Sequence, residues 1–255
     1  MPFADNNGVR IHYHVEGEGP PLVLHHGWSG NGDHWRYFGY VEELKRDYQL
    51  ILMDARGHGA SDKPHDLEAY FMEHRVGDVV AVLDDLDIGS AHYFGYSAGG
   101  SIGFNFAKLA AERARSLIIG GANPKGWPPG RAPMVASLEV DPEAVLAFWE
   151  RSVPVSSELR DQLLANDFEA LIAASKGSSM RSDLRDDLPS MTMPFLIYAG
   201  ESDEAIPYME VKEYAQRLPN STFVSLPGLD HIQGLTRSDL VLPHVKKFLA
   251  QVSKT

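Results

Sequence analysis

Apolar and polar residues alternate near the start of the chain, in the segment 9–15. The apolar members of this alternation are Val9, Ile11, Tyr13 and Val15. A period of two residues predicts a strand with one buried face. The pair Asn7-Gly8 stands directly before it and favours a two-residue hairpin turn, so we expect residues 2–5 to pair with this strand.

Six further segments are short, continuous and apolar, which is typical of buried strands. They are residues 22–24, 50–53, 92–94, 117–119, 195–198 and 222–226. Apolar residues recur at helical spacing in three other stretches, at Val76, Val79, Val80, Leu83 and Leu86, at Ile102, Phe106, Leu109 and Ala110, and at Val241, Val245, Phe248 and Leu249. Strands that alternate with helices predict an α/β fold, with a mostly parallel eight-stranded sheet and helices on both faces.

The alternation is interrupted once, between residues 123 and 189. This segment has helical patches, no convincing buried strand, and prolines at Pro124, Pro128, Pro129 and Pro133. We therefore predict a small helical cap at 123–189, inserted into a core that consists of residues 1–122 and 190–255. Such an insertion is expected over the carboxyl edge of the sheet, where open α/β sheets bind ligands.

Composition and charge exclude several kinds of site and partner. The 255-residue chain contains no Cys, which excludes disulfides, thiolate zinc sites and a Cys nucleophile. Its net charge of −12 disfavours nucleic acids and anionic membranes as partners. No signal-peptide pattern and no membrane-spanning apolar run are visible, so we expect a cytoplasmic protein. The sequence indicates no particular oligomeric state.

A candidate nucleophile lies between a predicted strand and a predicted helix. Residues 95–99 have the sequence GYSAG, which matches G-x-S-x-G. In this context the motif predicts a sharp turn that projects the hydroxyl of Ser97 outward, at the N-terminus of a helix. Acyl transfer also requires two N–H donors for the oxyanion. We expect them to be the backbone N–H groups of Ala98 and of Trp28, which follows the strand 22–24 in the segment His25-His26-Gly27-Trp28.

The base and the acid are expected after later strands, in the order serine, acid, histidine. His231 follows the strand 222–226, whereas His244 lies within the last helical pattern and is expected on its surface. Asp203 follows the strand 195–198, with Glu201 and Glu204 as alternatives. The end of the strand 117–119 offers only Asn123, which strengthens Asp203. His26 is interpreted as a structural residue, since His231 is better placed to act as the base.

Together these motifs resemble those of the α/β-hydrolase fold superfamily along nearly the whole chain. The segment 54–62, DARGHGASD, is similar to the D-x-R-G-x-G-x-S segment of that superfamily. There it is a structural turn, so no catalytic role is expected for Asp54, Arg56 or His58. Haloalkane dehalogenases and epoxide hydrolases of this fold carry Asp where Ser97 stands, whereas a serine suits acyl transfer. The size and the short insertion resemble those of carboxylesterases and lactonases.

The resemblance implies a serine hydrolase that cleaves a small to medium carboxylic ester through an acyl-enzyme, with no metal or organic cofactor. The alternatives are a lactonase that opens an enol-lactone or acyl-lactone ring, and a small-molecule receptor that keeps the triad without turnover. Thioester and carbon–carbon cleavage also remain open. A catalytically idle interaction module is disfavoured because every element of the triad is present.

Aromatic residues predict the walls of the substrate pocket. Trp28 and Tyr96 flank backbone positions of the site, and within the insertion Trp127 and Trp149 are the leading candidates. The insertion also offers Met134, Phe148, Phe168 and Met180, and packing within the insertion is the alternative for all six of these candidates, Trp127 and Trp149 included. Four arginines there are able to bind a substrate carboxylate, but we expect each of them at the surface: Arg131, Arg151, Arg160 and Arg181.

Overall fold

The computed structural model describes residues 2–125 and 141–253. The strands are β1 (Phe3–Asn6), β2 (Val9–Glu16), β3 (Pro21–His25), β4 (Gln49–Met53), β5 (Ala91–Tyr96), β6 (Ala114–Gly120), β7 (Phe195–Gly200) and β8 (Ser221–Leu226). They form one eight-stranded sheet in the order β1-β2-β4-β3-β5-β6-β7-β8. β2 pairs antiparallel with both of its neighbours, β1 and β4, and all other neighbouring strands pair parallel. The predicted mostly parallel sheet is confirmed.

The first hairpin forms where the sequence places it. Asn7 and Gly8 have φ angles of 55° and 85°, which are the positive values that a tight hairpin turn requires. They join β1 to β2 in the register that pairs Asn6 with Val9.

The segment 222–226 is a strand, but the prediction that it is buried was wrong. Only Leu226 at its end is buried, and the rest of β8 is half-buried or exposed. The reason is its place in the sheet, since β8 is an edge strand with β7 as its single neighbour.

Helices cover both faces of the sheet. They are α1 (Asp33–Tyr37), α2 (Tyr40–Leu44), α3 (Met72–Asp85), α4 (Ala98–Leu109), α5 (Pro142–Glu150), α6 (Ser157–Leu164), α7 (Phe168–Ser179), α8 (Tyr208–Arg217), α9 (Gln233–Thr236) and α10 (Ser238–Val252). Because successive strand residues point to opposite faces, the strands contribute to two apolar cores. One core packs against α3, α4 and α8, and the other against α1, α2, α10 and the helices α5 and α6.

The helices α5, α6 and α7 all lie between β6 and β7. Each begins with a side-chain cap, in which Asp141, Ser156 or Asp167 accepts a hydrogen bond from a backbone N–H three residues later. The division of the chain into a cap at 123–189 and a core stays a prediction. Trp127, Arg131 and Met134 lie outside the described residues. Across the two described ranges, no helix combines the length and the apolar character needed to cross a membrane.

Several buried histidines surround the loops that follow β3 and β4. His25, His26, His34 and His58 are each no more than 2% exposed. Burial lowers the pKa of each of them, to about 3 for His34. Nε2 of His34 has no hydrogen-bond partner among the described residues. These side chains are therefore neutral in the folded protein at neutral pH.

Buried neutral histidines predict a fold that weakens in mild acid. Each has a folded pKa below its unfolded value near 6.5, so the unfolded chain binds protons first and stability falls as the pH drops below about 6.5. Each histidine contributes a slope of up to about 1.4 kcal/mol per pH unit. We expect the free energy of unfolding in urea to fall steeply from pH 6.5 to pH 4.5.

The variant His34→Gln tests whether buried histidines cause this pH dependence of stability. The exposed His244 provides the matched control. We expect H34Q to reduce the slope of the unfolding free energy against pH by up to about 1.4 kcal/mol per pH unit, which corresponds to the uptake of one proton. We expect H244Q to leave this slope unchanged. A stability that is constant over this pH range, or equal slopes for both variants and the parent, would contradict the account.

Candidate active site

Ser97 occupies a sharp turn between β5 and α4. β5 ends at Tyr96 and α4 begins at Ala98. The backbone of Ser97 has φ 53° and ψ −112°, and such conformations cost a non-glycine residue about 1–3 kcal/mol. The turn is held by hydrogen bonds from the Ser97 N–H to the Gly120 carbonyl (2.9 Å) and from the Ser101 N–H to the Ser97 carbonyl (2.9 Å). The hydroxyl thus stands at the N-terminus of a helix, which favours negative charge.

The glycines that flank this turn are required by close backbone approaches. A Cβ atom added to Gly95 would lie under 3.0 Å from the Gly99 carbonyl oxygen. A Cβ atom added to Gly99 would lie under 3.0 Å from the carbonyl oxygens of His25 and His26. The turn at Ser97 therefore packs directly on the loop that follows β3.

Ser97, His231 and Asp203 form a continuous chain of hydrogen bonds. Nε2 of His231 lies 2.9 Å from Oγ of Ser97, and Nδ1 lies 2.7 Å from Oδ2 of Asp203. The side chain of Asp203 is 2% exposed, and its Oδ1 accepts hydrogen bonds from the N–H groups of Ala205 (2.9 Å) and Ile206 (2.8 Å). Because the carboxylate accepts, Nδ1 carries the proton and Nε2 presents its lone pair to the Ser97 hydroxyl.

The other candidate acids and bases lie elsewhere. Glu201 and Glu204 are exposed, and Glu201 accepts a hydrogen bond from the Ser225 hydroxyl (2.5 Å). His244 is exposed on α10, as the sequence predicts. Among residues 2–125 and 141–253, no group of three His, Cys, Asp or Glu side chains is arranged to hold a metal ion.

The segment that carries His231 is held from two sides. The Tyr96 hydroxyl donates a hydrogen bond to the His231 carbonyl. On the other side, the Gln233 N–H donates to the Asp230 carboxylate (2.8 Å), and the Asp230 N–H donates to the Gln233 side chain (3.2 Å). These reciprocal hydrogen bonds close the turn 230–233 that leads into α9, and they hold His231, which lies within that turn.

The loop after β3 lies directly beside Ser97. A Cβ atom on Gly27 would lie 3.3 Å from Cβ of Ser97, so the backbone approaches the nucleophile closely there. His26 holds the loop: its Nε2 accepts a hydrogen bond from the Ala55 N–H (3.0 Å), and its Nδ1 donates to the Gly27 carbonyl (2.7 Å). His26 is therefore a neutral structural residue. Trp28 of this loop lines the cavity at Ser97.

Asp54 anchors the turn that follows β4. Its carboxylate accepts hydrogen bonds from the N–H groups of Gly32 (2.8 Å) and Ala60 (2.9 Å) and from Nδ1 of His12 (2.8 Å). Burial works to raise the pKa of Asp54, but these hydrogen bonds lower it to about 2. The segment 54–62 is a structural turn.

A cavity of about 160 Å³ opens beside Ser97 and His231. Most of its wall is apolar, and Ser97 and His231, two members of the hydrogen-bonded relay Ser97–His231–Asp203, are among its lining residues. Of the aromatic and Met candidates for its wall, Tyr96, Phe148 and Trp149 line the cavity, whereas Met180 is 63% exposed and Phe168 packs into the core instead. The full lining comprises Gly27, Trp28, Tyr96, Ser97, Ala98, Ser101, Phe148, Trp149, Ser175, Ser178, Arg181, Ala205, Ile206, His231, Ile232 and Leu235.

One of the four arginines was predicted wrongly. Arg151 and Arg160 are exposed, as expected, but Arg181 lines the cavity. The cause is a hydrogen bond from its Nε to the Lys125 carbonyl (2.9 Å), which turns the side chain inward after the end of α7.

The cap helices are tied to the loop that follows β3. Nε1 of Trp28 donates to the Leu171 carbonyl (3.2 Å) on α7. Nδ2 of Asn166 donates to the Ser29 carbonyl (3.0 Å), and Nε1 of Trp149 donates to the Ser29 hydroxyl (3.3 Å). Three cap residues therefore fix the loop that carries one predicted oxyanion donor.

Several lining residues were missed by the sequence analysis. Ile206 and Ile232 lie three residues after Asp203 and one after His231, so nearness to these candidates is a signal that would have found them. Ser175 and Ser178 are spaced by three residues on α7, which places them on one side of that helix. That spacing alone does not reveal which side faces the cavity.

Comparison with known proteins agrees with this architecture. The family model described as alpha/beta hydrolase fold matches residues 20–154, more than half of the chain. The chain belongs to the alpha/beta hydrolase fold family. It is 27% identical to the enol-lactonase from Burkholderia xenovorans LB400, with a TM-score of 0.85 over 98% of this chain and 100% of that one.

Two curated relatives match over similar lengths. A non-heme chloroperoxidase of Streptomyces lividans is 28% identical, over 96% of this chain and 97% of its own. A pimeloyl-[acyl-carrier protein] methyl ester esterase of Aeromonas hydrophila is also 28% identical, over 91% of this chain and 96% of its own. The family model, the methyl ester esterase and the enol-lactonase together place the chain among hydrolases.

The packing of Gly99 against the loop after β3 predicts a large loss of stability on substitution. Gly99→Ala forces the turn at Ser97 away from the His25 carbonyl, and we expect a loss of about 1–3 kcal/mol in the free energy of unfolding. Gly89→Ala is the matched control, because a Cβ there meets no atom within 4 Å. Urea denaturation measures both, and equal stabilities of the two variants would contradict the packing argument.

Proposed function

We propose that this protein is a serine hydrolase that cleaves a small carboxylic ester through an acyl-enzyme intermediate. One observation carries the proposal: the Ser97 hydroxyl lies 2.9 Å from Nε2 of His231, whose Nδ1 lies 2.7 Å from the buried carboxylate of Asp203. A hydroxyl activated in this way is a nucleophile suited to acyl transfer.

In the proposed first half-reaction, Oγ of Ser97 attacks the ester carbonyl carbon while Nε2 of His231 takes its proton. The oxyanion is placed between the backbone N–H groups of Trp28 and Ala98, both of which belong to residues that line the cavity. The carbon–oxygen bond to the alcohol then breaks, and the imidazolium returns its proton to the departing oxygen. Asp203 stabilises the imidazolium charge throughout this step.

In the second half-reaction, water replaces the alcohol. His231 removes a proton from a water molecule, which attacks the acyl carbon, and the bond to Oγ of Ser97 breaks. The proton passes through Nε2 back to the serine, and the carboxylic acid leaves. Water is the only co-reactant, and no metal or organic cofactor takes part in this scheme.

A lactonase is the second candidate. The observation that favours it is the likeness to an enol-lactonase over nearly the whole of both chains, at 27% identity. The chemistry is the same, except that the leaving oxygen stays attached to the acyl group after ring opening. The remaining alternative is a small-molecule receptor of this fold. Such a receptor would release a single equivalent of product slowly, whereas an enzyme turns over many times.

Removal of the nucleophile should abolish turnover. For Ser97→Ala we expect kcat toward p-nitrophenyl acetate to fall by roughly 10³-fold to 10⁶-fold, and for Asp203→Asn by roughly 10⁴-fold. Far-UV circular dichroism and urea denaturation of each variant check that the fold is retained. The exposed Ser190→Ala is the matched control and should keep the parental rate.

The proposal fails if Ser97→Ala keeps the parental turnover, because hydrolysis would then depend on another group. It also fails if the parent releases a single equivalent of p-nitrophenol and no more, which is the behaviour of the receptor.

The size of the cavity predicts a preference for short acyl chains. Its volume of about 160 Å³ is comparable with a cavity of about 150 Å³ that holds one benzene molecule. We expect kcat/KM for p-nitrophenyl esters to fall by an order of magnitude or more between butyrate and decanoate. Phe148→Ala, which shortens a side chain of the wall, should shift the optimum to longer chains. Equal activity on butyrate and decanoate would contradict this account of the cavity.

A further inference from the structure

The loop after β3 contains a tight turn at residues 27–30, beside the nucleophile. The Gly30 N–H closes this turn by donating a hydrogen bond to the Gly27 carbonyl (3.1 Å). Ser29 stands at the third position of the turn, with φ 62°. A positive φ at that position suits Gly or Asn, and at other residues such a backbone costs about 1–3 kcal/mol. A conformation of this kind persists only where neighbouring groups hold it.

Asn166, which lies between α6 and α7, holds this turn from outside. Its Nδ2 donates one hydrogen bond to the Ser29 carbonyl (3.0 Å) and one to the Leu163 carbonyl (2.9 Å) near the end of α6. An amide nitrogen has two N–H donors, so both are used. Ser29 is 2% exposed, and a buried carbonyl without a donor is costly. Asn166 therefore ties the cap to the turn.

The contact at Ser29 leads through two peptide groups to Trp28. The Ser29 carbonyl and the Gly30 N–H belong to one peptide group, and the Gly27 carbonyl and the Trp28 N–H belong to another. In a trans peptide the C=O and the N–H point in opposite directions. Each of the two groups therefore accepts a hydrogen bond on one side and has its donor on the other. The series begins at Asn166 and ends at the Trp28 N–H.

The Trp28 N–H is the expected second donor to the oxyanion. It points opposite to the Gly27 carbonyl, and Trp28 lines the cavity in which Ser97 stands. Hydrogen bonds in series polarise one another, so a donor on the Ser29 carbonyl strengthens each N–H that follows in the series. The Gly27 carbonyl also accepts from Nδ1 of His26 (2.7 Å). The cap therefore supplies part of the hold on this peptide group, and the loop itself supplies the rest.

We propose that Asn166 is a positioning residue that orients and polarises the Trp28 N–H for the oxyanion. This inference rests on the proposed hydrolase function, because the oxyanion forms only when Ser97 attacks a carbonyl. Both half-reactions pass through an oxyanion, so loss of the Asn166 contact should slow both by a similar factor. Within the described part of the chain, Asn166 is not among the residues that line the cavity. Its loss should therefore lower kcat and leave KM largely unchanged.

The variant Asn166→Asp tests the contact, because it keeps the shape of the side chain and removes both N–H donors. Loss of a whole oxyanion donor costs about 10²-fold to 10³-fold in kcat, and a weakened donor should cost less. We expect kcat toward p-nitrophenyl acetate to fall by about tenfold, with KM changed by less than about twofold. Asn166→Leu, which is uncharged and similar in volume, should have the same effect.

Asn220→Asp is the matched control. Nδ2 of Asn220 donates to the Thr192 carbonyl (2.6 Å), where both residues are exposed just before β8 begins, at the sheet edge opposite to the relay. This variant also loses an amide-to-carbonyl hydrogen bond, but it should keep the parental kcat and KM.

A transition-state analogue separates positioning from a general loosening of the cap. The ketone 1,1,1-trifluorobutan-2-one adds to a serine hydroxyl, and the oxyanion of the resulting hemiketal occupies the place of the reaction's oxyanion. Its Ki should rise in Asn166→Asp by the factor by which kcat falls, about tenfold. A loosened cap would instead raise KM for the ester. A rise in KM that accounts for the whole loss of kcat/KM would contradict the positioning role.

Backbone hydrogen exchange gives a readout that does not depend on turnover. The Gly30 amide should exchange about twofold to tenfold faster in Asn166→Asp, the change expected for loss of one neutral hydrogen bond, and at the parental rate in Asn220→Asp. If the parent hydrolyses no ester, the proposed function fails, and Gly30 exchange alone decides whether Asn166 holds the turn. If the parent is active and Asn166→Asp keeps its kcat, or Gly30 exchange is unchanged, the positioning role is contradicted while the hydrolase stands.

Discussion

The hydrogen bond between Ser97 and His231 depends on the parallel order of the strands that precede them. Ser97 follows β5, Asp203 follows β7 and His231 follows β8, and in the sheet these strands run parallel with only β6 between β5 and β7. Their carboxyl ends therefore meet at one edge, although the residues are far apart in sequence. A reversal of any one of these strands would carry its side chain to the opposite edge.

The second constraint is the close packing of backbone around Ser97. Gly99 lies against the His25 carbonyl and Gly27 lies against Ser97, so the turn at the nucleophile and the loop after β3 have one fixed arrangement. Trp28 extends this arrangement to the cap through its hydrogen bond to α7. The same helix contributes Ser175 and Ser178 to the wall of the cavity. The turn at the nucleophile, the loop after β3 and α7 are in this way parts of one packed structure.

Most of the fold and the relay were predictable from the sequence because they have local signals. The elbow at Ser97 is a continuous motif between a strand and a helix, and His231 and Asp203 each follow a short apolar strand. The burial of β8 and the inward turn of Arg181 were not predictable. Periodicity does not distinguish an edge strand from a central one, and the position of Arg181 depends on a carbonyl 56 residues away. The cytoplasmic location and the absence of nucleic-acid or membrane partners stay predictions.

The central claim is that the relay makes the Ser97 hydroxyl a nucleophile, and covalent labelling tests it most directly. After treatment with a fluorophosphonate, peptide mass spectrometry should find one equivalent of adduct on Ser97, and the His231→Ala variant should react far more slowly. Continued ester hydrolysis by a protein whose Ser97 stays unlabelled, or an adduct on a different residue that accompanies the loss of activity, would contradict the account.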